Sequence, residues 1–138
     1  LDLVFLWDKV ATNLSIRNLI IHHHLQERVH FLWVLKDAEK SLVYQGSIGA
    51  IYPSLYEPFP FKLAEALYEN VPIISSNLNN IEWIFWNKIH YFSPISTNNM
   101  IQELKNFISH RNRKEDYSEI RSKYSIEKTI QKILSLMQ

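Results

Sequence analysis

The sequence has no cysteine, which excludes disulfides, thiolate nucleophiles and cysteine-bound metals and suits a reducing compartment. Glycine is nearly as scarce. Only Gly46 and Gly49 occur, so neither a Gly-x-Gly-x-x-Gly dinucleotide fingerprint nor a phosphate-cradling P-loop is present. No apolar run reaches the roughly 18 residues of a membrane-spanning helix, and no secretory-signal pattern precedes the first strand-like segment. Charge of neither sign dominates: 15 Lys and Arg against 14 Asp and Glu leave a net +1, which calls for no nucleic-acid partner. From Met100 onward eight basic residues face five acidic ones, a surplus that reads as a solvated helix face.

What is present is apolar and aromatic. Of 138 residues 46% are hydrophobic, with seven Phe, seven Tyr and four Trp, enough to bury one core. Short apolar runs with β-branched and aromatic residues predict strands at 1–7, 29–34, 48–54, 71–75 and 89–93. Between them, helical spacing predicts helices over 13–26, 37–46, 60–70 and 79–86, and two or three more close the chain. Gly46 and Asn70 are expected to stop two of these helices, and Pro60 to open one. Thr97 and Ser125 are the expected caps of two closing helices.

Strands alternating with helices imply an α/β fold, Rossmann-like, with a mostly parallel sheet covered by helices on both faces. No repeat or linker interrupts residues 1–138, so they read as a single domain. Such sheets bind ligands beyond the carboxyl ends of their strands, where Asp8, Val34–Lys36, Pro53–Glu57, Ser75–Asn80 and Ser93 fall. Glu57 sits there in the stretch Glu57-Pro58-Phe59-Pro60, which opens into the helix carrying Glu65. Two acids at a helix start can simply answer its dipole, or they can face a ligand. His22, His23 and His24 are adjacent and point about 100° apart on a helix, so they read as solvated rather than as metal ligands, and no metal site is expected. His30 and His90 are expected to be packed, and Trp83, Phe85 and Trp86 to form a packing knot. Asp8 has no acidic cluster to make it a phosphoacceptor.

Over nearly the whole chain the sequence resembles the carboxyl-terminal, donor-binding domain of GT-B glycosyltransferases of the family 4, or group 1, type. The residues that carry the resemblance are Phe31-Leu32-Trp33, Val43-Tyr44, Pro53-Ser54, Glu57 and Glu65 at Glu-x7-Glu spacing, "VPIISSN", "HYFSP" and "KYSIEKTIQKIL". The resemblance implies a retaining transferase that moves a sugar from a nucleotide-sugar donor to a glycan or lipid-linked acceptor and needs no cofactor. Glu57 would be the catalytic residue beside the donor sugar. Glu65, accepting from the ribose hydroxyls, would bind the donor together with Phe59, Pro60, Phe61, Lys62 and Trp33.

Departures from the family pattern matter too. Pro58 and Pro60 replace glycines and remove two backbone donors, Asn70 replaces a glycine that tolerates left-handed backbone, and Trp33 could stack on the donor base or block it. The family's first βα unit and its amino-terminal acceptor domain do not match any part of this sequence, which starts inside a strand-like run without methionine and so reads as a piece of a longer protein. Two functions stay open: the donor-binding part of a cytoplasmic transferase, including one peripheral to the inner face of the membrane and serving polysaccharide synthesis, or a degenerate binding or assembly module without turnover.

Overall fold

The computed structural model describes residues 1–6, 13–110 and 115–135. Asp8, expected at the carboxyl end of the first strand, lies outside them. The described residues form two compact units, 1–42 and 43–138.

In the first unit, strand β1 (Leu3–Phe5) pairs in parallel with β2 (Val29–Phe31), and the Phe5 and Phe31 rings stack at 5.2 Å. Between them runs helix α1 (Leu14–His22), capped by Asn13, whose side chain accepts from the Ser15 and Ile16 N–H groups. The helix is shorter than expected, because the histidines end it. His24 takes φ 53°, its N–H bonds to Ile21 and the Leu25 N–H reaches back to Ile20, which satisfies the last carbonyls. His30 is exposed beside Asp2 at 3.6 Å rather than packed.

Helix α2 (Asp37–Gln45) spans the boundary between the units. The second unit holds a three-stranded parallel sheet, in order β3 (Ala50–Tyr52), β4 (Ile73–Ser76), β5 (His90–Phe92). β4 is central and buried along its whole length, and "IISS" has the unbroken burial of a strand covered on both faces. Helix α3 (Phe61–Tyr68) follows β3 and buries Leu63, Ala66 and Leu67, the stripe its spacing predicts. Asn70 ends it in the left-handed region at φ 57°, as expected. Its N–H bonds to Leu67, and the Val71 N–H to Ala66. Gly46 does not play that part for α2: neither glycine has positive φ.

After β4 come α4 (Asn79–Phe85), a 3-10 turn at Trp86–Lys88, β5, and then α5 (Thr97–Ser109), α6 (Ser118–Lys123) and α7 (Ile126–Ser135). The cap of α5 is Ser96 rather than Thr97: its Oγ accepts from the Asn99 N–H at 3.3 Å. Ser125 accepts from the Lys128 N–H at 3.2 Å, the contact expected of a cap. Phe107 of α5 packs on Ile74 and Phe92 with Met100 and Leu104 beside it. The aromatic knot is only partly packed. Phe85 is buried, while Trp83 and Trp86 are exposed and share the Lys123 ammonium, 4.1 Å from the Trp86 ring centre. No helix among the described residues is long and apolar enough to cross a membrane.

Candidate functional site

Parallel neighbours β3 and β4 end at Tyr52 and Ser76, and the loops that leave them meet at the carboxyl edge of the sheet. There they line an open cleft of about 490 Å³, built from Leu55, Tyr56, Glu57 and Pro58 on one side and Asn77, Leu78, Asn79 and Asn80 on the other. Asn80 joins the two sides, its side-chain N–H donating to the Glu57 carbonyl. Glu57 is half-buried. Its backbone is held by that bond, and the residue belongs to a wall otherwise made of three asparagines, a tyrosine, two leucines and a proline. A carboxylate accepts and a primary amide both donates and accepts, a combination suited to a ligand rich in hydroxyl groups.

The two prolines have separable effects. Pro60 adopts φ −81° and ψ 60°, close to the inverse γ-turn, and the Phe61 N–H accordingly bonds to the Phe59 carbonyl at 2.9 Å. The ring fixes the φ that this turn needs, though not its ψ, and the Phe59 and Phe61 rings meet across it at 4.5 Å. Pro60 is the residue preceding the helix rather than one within its first turn. Its carbonyl accepts from the Ala64 N–H at 3.1 Å, and no side chain caps the helix. The Phe61 N–H is thus engaged inside the loop. Pro58 is exposed at the cleft wall.

Glu65 is half-buried in the middle of α3, on the side of Tyr52. Burial holds the Tyr52 hydroxyl far above its ordinary pKa, and the neighbouring Tyr44 and the Glu65 charge push it further in the same direction. Of the residues expected at the site, the structure gathers Glu57 and Pro58 at the cleft, sets Phe59, Pro60 and Phe61 in the turn, and puts Lys62 and Glu65 along α3. Phe59, Phe61 and Lys62 are exposed. Trp33 lies in the first unit, just after β2, and is exposed. The residues not picked out individually are the asparagines at 77, 79 and 80 and Tyr52, whereas Tyr44 was named only as part of the family resemblance. An amide-rich loop directly after a buried strand was the available sign of the first group. Among the described residues no group of three or more His, Cys, Asp and Glu could hold a metal ion.

A family model described as Glycosyl transferases group 1 matches residues 8–124. The chain belongs to that family. It is similar to the O-antigen chain mannosyltransferase RfbU of Salmonella typhimurium, 23% identical over 105 residues that make up 76% of this chain and 30% of RfbU. In structure it is similar to sucrose-phosphate synthase from Thermosynechococcus elongatus, with a TM-score of 0.79 at 17% identity over 97% of this chain and 36% of that one. The α/β fold of this group 1 glycosyltransferase domain is thus that of the carboxyl-terminal part of a GT-B enzyme. The chain spans about a third of the length of these relatives.

Proposed function

We propose that this group 1 glycosyltransferase domain is the donor-binding part of a retaining glycosyltransferase, which transfers a sugar from a nucleotide-sugar donor to a glycan or lipid-linked acceptor. The observation that carries the reading is the half-buried Glu57 in an amide-lined cleft beyond the ends of β3 and β4. In this reading the sugar occupies that cleft, with Glu57 beside it and the asparagine amides available to its hydroxyls. Glu65 accepts from the hydroxyls of the nucleotide ribose, and the mouth of α3 lies toward the diphosphate, with Phe59, Phe61 and Lys62 around it. The positive end of the helix stabilises charge that grows on the diphosphate as the glycosidic bond breaks. RfbU's name makes a polysaccharide a reasonable acceptor class, and the work would be done on the cytoplasmic side of a membrane.

A second reading has its own observation. Pro58 and Pro60 supply no N–H, and that of Phe61 is already bonded to Phe59, which leaves fewer donors for a diphosphate. A domain with that loop could serve as a binding or assembly module without turnover. Calorimetric titration with UDP-glucose, UDP-N-acetylglucosamine and GDP-mannose, using the whole encoded protein that carries this chain, separates the two. Saturable binding that Glu65→Ala weakens by about 1–3 kcal/mol, with release of the nucleoside diphosphate on turnover, supports the transferase; binding without turnover, or no binding of any of the three, supports the module.

A further inference from the structure

Tyr52 touches both ends of the segment that carries Glu57. At the front, its backbone carbonyl, the last of β3, accepts from the hydroxyls of Ser75 and Ser76 at 3.4 and 3.3 Å, and both serines are fully buried. At the back, its side-chain hydroxyl lies 2.7 Å from the Lys62 carbonyl in the first turn of α3. A carbonyl only accepts, so the single Tyr52 proton is committed to Lys62. The 3.0 Å contact with Tyr44 must then run from the Tyr44 hydroxyl to the Tyr52 oxygen. The result is a one-way chain, Tyr44 to Tyr52 to Lys62, that joins the end of α2 through β3 to the start of α3.

We infer that Tyr52 is a positioning residue for the candidate site, fixing the start of α3, and with it Glu65, relative to the loop that holds Glu57. Its hydroxyl touches nothing in the cleft and acts only through the Lys62 carbonyl. The inference rests on the donor-site reading for its functional consequence but not for its structural one, and the two are tested apart.

The experiment compares wild-type protein, Tyr52→Phe and, as a control, Tyr91→Phe. Tyr91 also carries a buried hydroxyl, but one without a hydrogen-bond partner, on β5. Amide hydrogen exchange under native conditions reads the loop and the first turn of α3. Tyr52→Phe is expected to speed exchange about three- to tenfold there, the span of one lost neutral hydrogen bond, and to leave β4 and α5 unchanged. Titration with the same three nucleotide sugars is expected to show a matching loss of affinity for Tyr52→Phe and none for Tyr91→Phe. Unchanged exchange in residues 53–66 overturns the inference whatever the titration gives. So does faster exchange spread evenly over the second unit, which would mean general destabilisation. Locally faster exchange with unchanged affinity overturns the functional half. If the wild type binds no nucleotide sugar, the donor-site reading fails while the exchange data still decide whether Tyr52 places α3.

Discussion

The Arg121 guanidinium donates to the Asn70 side-chain oxygen at 2.8 Å, and so ties α6 to the residue that ends α3. Asn70 therefore does two jobs: it takes the left-handed backbone at φ 57° and offers an acceptor that glycine would lack. Asn70→Ala is expected to destabilise the fold by about 1–2 kcal/mol, the cost of a Cβ in that region without the amide's local bonding. Asn70→Gly should cost less than alanine, since it relieves the backbone and loses only an exposed contact. Urea unfolding of both variants, alone and with Arg121→Ala, measures the difference. Arg121→Ala should have a smaller effect once Asn70 is gone, since only its longer bond to the Tyr68 carbonyl at 3.4 Å is then left to lose.

Gly49 admits no side chain. A Cβ there would stand 2.4 Å from Phe107 Cε1 and 3.2 Å from the Pro72 carbonyl oxygen. Gly49→Ala is expected to lower stability by about 1–3 kcal/mol as the Phe107 ring is forced out of place. Gly49→Ala combined with Phe107→Leu should recover part of that loss relative to the sum of the two single changes. A double-mutant cycle on unfolding free energies checks it.

Alkaline conditions should weaken the fold through Tyr52. Its pKa is raised in the folded state, mainly by burial, so the unfolded chain loses the proton first as pH climbs. The contribution is whole below the ordinary tyrosine value of about 10 and is lost progressively above it. Unfolding free energies measured from about pH 8 to 11 should fall less steeply for Tyr52→Phe than for the wild type. Parallel curves would mean that the hydroxyl is not held neutral.

The two glutamates should fail differently. In the whole encoded protein Glu65→Ala is expected to weaken donor binding by about 1–3 kcal/mol, as for a lost charged hydrogen-bond partner. Glu57→Ala should chiefly lower the turnover rate, since its contact would strengthen as the bond breaks. Steady-state kinetics on both variants, with kcat and KM resolved, tests the assignment. Equal small effects on both parameters would remove both residues from the donor.

How much of this was legible beforehand depended on the range of the interaction. The buried stripe Leu63, Ala66, Leu67 and the left-handed Asn70 follow from spacing and from one residue's backbone tolerance, and both appear as expected. The placement of Glu57 beyond β3 followed from strand order alone. Ser96 capped where Thr97 was expected because the two hydroxyl residues are adjacent, and a one-residue shift decides which of them reaches Asn99. The inverse γ-turn at Pro60 needed a ψ value, which the ring does not set. The bond from Tyr52 to Lys62 joins residues ten apart, and the links to Ser75 and Ser76 join residues more than twenty apart. No local pattern announces those. The exposure of Trp83 and Trp86 was hidden for a similar reason, since a dense aromatic run looks the same whether it faces a core or a lysine.

The tie between Tyr52 and Lys62 also sets which kinds of sequence change this segment can absorb over generations. It fixes a count of residues and is indifferent to most of their identities. Leu55 and Tyr56 face solvent and can be exchanged without disturbing it. One residue added to or removed from 53–61 would displace the chain by up to about 3.3 Å, more than a hydrogen bond tolerates. Substitution can therefore drift here while insertion and deletion are barred, so the loop should vary in composition at constant length.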